Sequence, residues 1–172
     1  MRLQAGDMVF FKSVSVVSRL VSKVTFGKVS HVAIAYDEAT LFETDGKWGK
    51  AMFTKAVDRM HKEVEVYRFK NLLEEQREEI QFLCHGFEGT PYSFLDIAVK
   101  GMTFWLHPKI AGQLASFVGN KKHMICNELV ARIMYEVTGF EAFENVEGSN
   151  PQLMLEEVRQ WPSYIEKVVP NA

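Results

Sequence analysis

Cysteine is scarce in this chain. There are two among 172 residues, Cys84 and Cys126, with no CxxC pair and no disulfide-dense spacing. That pattern excludes a disulfide-stapled secreted scaffold and suits a reducing compartment. No apolar run reaches membrane-spanning length, and Met1-Arg2-Leu3-Gln4-Ala5-Gly6-Asp7 lacks the apolar stretch and cleavage site of a secretory signal. The expected location is therefore cytoplasmic. Charge of one sign is lacking too: 20 Lys and Arg offset 22 Asp and Glu, a net charge of −2. No basic field invites nucleic acid, and nucleic-acid partners are not expected. The five histidines are scattered without HxxxH spacing, so no metal site is expected.

Apolar side chains are abundant, at 47% of residues including 13 Phe, enough for one sizeable core in a single domain over residues 1–172. Strand patterns come first and helix patterns later. Strands are expected at Met8-Val9-Phe10-Phe11, at Ser30 to Tyr36, at Thr40 to Thr44 closed by Asp45-Gly46, and at Glu63 to Phe69, whose alternating charges suggest one wet face. A final strand is expected around Tyr164 to Val169. Helices are expected over residues 14–26, 72–86, 93–106 and 109–118, from Cys126 to a stop at Gly139, and from Pro151. Together these predict an α+β fold with a small, mostly antiparallel sheet packed against helices.

Three residues suggest chemistry. Cys126 opens a helix, where unpaired backbone N–H groups and the positive dipole end favour a thiolate. His31 lies on a strand, sharing a face with Ala33 and Ala35, whose small size leaves room for the Cys126 helix to approach. Glu43 reaches that face only if the intervening hairpin has an odd number of loop residues. With that register, Cys126, His31 and Glu43 complete a nucleophile, base and orienting acid. Cys84, inside an amphipathic pattern, reads as a buried structural thiol. Glu128 is expected to bond backbone or a basic neighbour.

These residues resemble a family: the circularly permuted papain-like hydrolases related to NlpC-type peptidases, which include YiiX-like proteins and, more distantly, lecithin retinol acyltransferase. The matching stretches are Gly6-Asp7-Met8-Val9-Phe10, Ser30-His31-Val32-Ala33-Ile34, Phe42-Glu43, Thr90-Pro91-Tyr92 with Asp96, Cys126-Asn127-Glu128-Leu129-Val130, and Asn150-Pro151-Gln152-Leu153. The resemblance implies a permuted papain-like fold, with Cys126 as nucleophile, His31 as general base and Glu43 orienting the imidazole. It also implies that Tyr92 lies near the oxyanion or substrate site, that the Cys126 backbone N–H is an oxyanion donor, and that no cofactor is needed. The sequence departs from the family pattern at Asn127, where serine is usual, and at Ser93-Phe94-Leu95, where glycines often follow the tyrosine.

The function expected is cleavage of an amide bond by a peptidase or amidase through a Cys126 thioester. Residues 94–119 are apolar but interrupted by Asp96, Lys100, His107, Pro108 and Lys109. They open a second reading, a lipid-directed thiol hydrolase or acyltransferase that contacts a membrane surface through this stretch. Lys100, Lys109, Lys121, Lys122 and His123 would then meet an acidic group. The third reading is a small-ligand-binding module on the same fold without turnover. Expected partners are accordingly a small-molecule, peptide or lipid-amide substrate.

Overall fold

Two faces of one sheet are buried, which explains why its inner strands read as near-continuous apolar runs such as Met8-Val9-Phe10-Phe11. The structure is a computed structural model that describes residues 2–12, 28–45, 47–60, 63–92, 124–144 and 150–169. Its strands are β1 (Met8–Lys12), β2 (Val29–Ala35), β3 (Thr40–Asp45), β4 (Lys50–Lys55), β5 (Val64–Phe69) and β6 (Ile165–Val168). They form one six-stranded sheet in the order β4-β3-β2-β1-β5-β6, antiparallel at each pairing. The helices among the described residues are α1 (Ala56–Arg59), α2 (Glu74–Phe87), α3 (Cys126–Thr138) and α4 (Pro151–Arg159), with a 3-10 turn at Glu141–Phe143. The fold class is α+β.

On one face, Met8, Phe10, Val32, Ile34 and Phe42 form a single cluster with Ile80 of α2, Leu129, Ile133 and Met134 of α3, and Leu155 of α4. Each such fully buried side chain contributes about 1.5–3 kcal/mol relative to leaving it exposed. The opposite face carries Val9, Phe11, Ala33, Ala35, Leu41 and Val66, capped by Leu3 and Ala56. Helix α3 forms where the pattern puts Cys126, Leu129, Val130, Ile133, Met134 and Val137 on a buried stripe. It ends at Gly139, whose φ of 62° is left-handed and whose N–H donates to the Tyr135 carbonyl at 2.8 Å. Helix α4 starts at Pro151 because Asn150 Oδ1 accepts from the Gln152 and Leu153 N–H groups.

Three expectations are corrected. Strand β4 and helix α1 lie where no element was expected. Lys50-Ala51-Met52-Phe53-Thr54-Lys55 has apolar residues at consecutive positions, so no period marks it, and pairing with β3 decides its conformation. The alternating charges of β5 do not face water. Arg68 is buried in a two-pronged pair with buried Asp7, its Nε and Nη2 each donating at 2.6 Å, while Glu65 accepts from Arg159 of α4. The alanines of β2 do not make room for the cysteine helix. Ala33 and Ala35 lie on the face capped by Leu3 and Ala56, whereas α3 packs against Val32, Ile34 and Phe42. The helices expected at 14–26, 93–106 and 109–118, the apolar stretch 94–119 and the basic positions from Lys100 to His123 lie outside the described residues. Among the described residues, no helix is long and apolar enough to cross a membrane.

Candidate active site

The site is built where β2 is irregular. Phe11 pairs with His31, but the next β1 residue, Lys12, pairs with Val29, so Ser30 is an extra residue in β2. Such a bulge bends the strand and re-aims neighbouring side chains. The His31 imidazole lies beside the Phe11 ring, with centroids 5.5 Å apart, and is mostly buried.

Glu43 reaches it from β3. Ile34 pairs with Phe42 and Ala35 with Leu41, a register that puts odd-numbered residues of both strands on one face. Glu43 Oε2 stands 2.6 Å from His31 Nε2. The carboxylate is completely buried and has two more partners: Thr54 Oγ1 donates to Oε1 at 2.6 Å, and Arg59 Nη2 donates to Oε2 at 2.8 Å. Burial alone would raise the Glu43 pKa. The His31 hydrogen bond and charge, the Arg59 charge and the Thr54 hydroxyl reverse this and bring it from 4.5 to about 2.

Cys126 arrives from the other side as the first helical residue of α3, after Ile125, whose N–H donates to Glu128 Oε2 at 3.1 Å. Glu128 thus bonds backbone. The Cys126 side chain is buried, and its charge acts on the His31 imidazole. For His31, burial alone would lower the pKa. The charge on Cys126 and its hydrogen bond, followed by the hydrogen bond and charge of Glu43, lift it instead from 6.5 to about 10. An imidazole held between a thiol and a carboxylate can take a proton from the first while the second stabilises the resulting cation.

Tyr92 is brought close by two isolated bridges. Its N–H donates to the Gly49 carbonyl at 2.9 Å, and it pairs with Met124 just ahead of Cys126. Its phenol pKa is raised by burial and by the negative charges of Cys126, Asp45 and Glu128. The structure therefore brings Cys126, His31, Glu43 and Tyr92 into one neighbourhood. Sequence reasoning missed Thr54 and Arg59, since both lie in or after the unexpected β4. It also missed Asp45, read only as a turn residue, although Asp45 shares Glu43's parity on β3. Asn127 is buried with neither amide atom partnered among the described residues.

No family model and no curated protein matches the sequence. Among solved structures, the metalloprotein YiiX from Escherichia coli O157:H7 superposes with a TM-score of 0.64 at 17% identity, covering 99% of both chains. The chain has a YiiX-like fold. YiiX is described as a metalloprotein, and one group here has metal-ligand chemistry. His31, Glu43 and Asp45 offer donor atoms within 4.8 Å of one another. This group does not fit a resident ion in this arrangement. Arg59 Nη2 bridges Glu43 Oε2 and Asp45 Oδ2, at 2.8 and 3.1 Å, so a protein cation already occupies the position between the two carboxylates. His31 Nε2 is also engaged with Glu43.

Proposed function

We propose that the protein is a cysteine hydrolase of permuted papain-like type that cleaves an amide bond. The observation that carries this reading is the placement of His31 between Cys126, at the first turn of α3, and a buried, ionised Glu43. His31 accepts the thiol proton, and Cys126 Sγ attacks the carbonyl carbon. The carbonyl π electrons move to oxygen, and the oxyanion is met by the Cys126 backbone N–H, with Tyr92 nearby. As the tetrahedral intermediate collapses, the C–N bond breaks and His31 gives its proton to the leaving amine. A thioester remains. Water, deprotonated by His31, then adds to it; collapse breaks the C–S bond and releases a carboxylic acid, and His31 returns the proton to Cys126 Sγ. Glu43 holds the imidazole and stabilises its charged form throughout. No step passes through a metal.

The test is the pH dependence of iodoacetamide alkylation at Cys126, read by peptide mass spectrometry, with His31→Ala as the comparison. Cys84 is the internal control: it is buried in α2, and burial pushes its thiol up to about 12. The expected result is rapid alkylation of Cys126 persisting well below the pH range of an ordinary thiol, slowed in His31→Ala, with Cys84 unmodified in the folded protein. Ordinary thiol behaviour at an accessible Cys126 in both proteins would overturn the reading.

A further inference from the structure

The residue that holds Glu43 is itself held with unusual care. Arg59 is the last residue of α1, the short helix that follows edge strand β4. Its Nη2 donates to Glu43 Oε2, the same oxygen that stands 2.6 Å from His31 Nε2, and also to Asp45 Oδ2 at 3.1 Å. The guanidinium lies over the Phe11 ring, 5.4 Å from its centroid, and Phe11 in turn contacts the His31 ring. The Arg59 side chain is only 16% exposed, and its Nε is buried without a partner among the described residues. Leaving such a donor unmet is costly, and burying this cation is sustained by the two carboxylates and the aromatic face.

We propose that Arg59 is a positioning residue: by sharing Glu43 Oε2 with the imidazole, it fixes the carboxylate and limits how strongly Glu43 holds His31 in its charged form. The chemical consequence rests on the cysteine-hydrolase reading. A carboxylate serving His31 alone, in a buried site, would over-stabilise the imidazolium and hinder transfer of its proton to a leaving group. With Arg59 on the same oxygen, part of that negative charge is already met. The charged and titratable groups facing this unit are Asp45 on β3, which accepts from Arg59, and Cys126 on α3, which faces His31; both are acidic. Removing the Arg59 cation therefore favours the protonated form of His31.

The experiment compares wild type, Arg59→Met and Arg59→Lys in the full chain. The His31 ring is titrated by NMR, and Cys126 alkylation is followed against pH. In Arg59→Met the His31 titration moves upward by about one pH unit. Arg59→Lys, which keeps the charge, restores most of that shift. Unchanged His31 titration in a folded Arg59→Met protein overturns the proposal. A measurement on wild type covers the case in which the variants do not fold. The Arg59 Cζ signal must move at the His31 titration point, because Arg59 Nη2 and the imidazole share Glu43 Oε2, and a signal that stays still overturns the proposal equally. If wild-type Cys126 has ordinary reactivity while His31 still responds to Arg59, the hydrolase reading fails and the positioning role stands.

Discussion

Glu43 stands one diagonal away from His31 across the β2–β3 pair, with its Oε2 2.6 Å from the imidazole Nε2. The relationship follows from the hairpin. Ala35 pairs with Leu41, so an odd number of residues, 36–40, lies between the partners and like parities share a face. A slip of one residue would send Glu43 to the face of Phe42 and Ile34, into the helix-packed core. The site and the core thus share one register, and the burial of Phe42 enforces the placement of Glu43.

Glu43→Gln keeps the size of the side chain and removes its charge. The His31 titration, followed by NMR, is expected to fall by about 1–3 pH units from its value near 10, since the opposite charge beside the imidazolium is gone. Cys126 alkylation at neutral pH slows in parallel. A His31 titration unchanged by the substitution would show that the carboxylate does not govern the imidazole.

The same pair fixes a pH window of stability. His31 is raised from 6.5 to about 10 on folding, so its contribution is complete below pH 6.5 and is lost as pH rises toward 10. Glu43 is lowered from 4.5 to about 2, so its contribution is complete above pH 4.5 and is lost as pH falls toward 2. Both are complete only between pH 4.5 and 6.5. The difference in unfolding free energy between wild type and a His31→Ala/Glu43→Gln double variant is expected to peak there and narrow on both sides. Urea unfolding at a series of pH values checks this, and a difference flat across the series sinks it.

Much of this arrangement is legible in the sequence because short-range rules set it. The i, i+3, i+4 spacing from Cys126 to Val137 and the glycine at 139 mark α3 at both ends, and the alternation around His31 marks β2. What escapes is set by partners distant in the chain. Strand β4 has no period of its own and exists by pairing with β3, so α1 and Arg59 behind it carry no local signal. Arg68 looks like a wet-face residue until Asp7, far away in sequence, is seen beside it. Ala33 and Ala35 show smallness but not which side of the sheet a helix will choose, since that depends on how Val32 and Ile34 pack with α3.

The Asp7–Arg68 pair anchors the N-terminal segment that caps the His31 face. Asp7 is wholly buried, accepts both guanidinium prongs and also accepts from the Gln4 N–H at 2.9 Å, while Arg68 reaches the Arg2 carbonyl at 3.1 Å. The adjoining backbone locks onto β2: Gly6 N–H donates to the Ala35 carbonyl and Ala35 N–H to the Asp7 carbonyl, at 3.0 and 2.8 Å. Gly6 has a φ of 92°, a conformation open to glycine, and a Cβ there would meet Ile80 Cδ1 at 2.8 Å. Arg68→Ala strands a buried carboxylate and is expected to cost about 3–5 kcal/mol in urea unfolding. Changing both partners, as Asp7→Leu/Arg68→Met, removes the stranded charge and is expected to recover a large part of that loss, because an apolar pair needs no desolvated ion. A cost under about 1 kcal/mol for Arg68→Ala, the range of an exposed pair, would show that the buried pair does not anchor the segment.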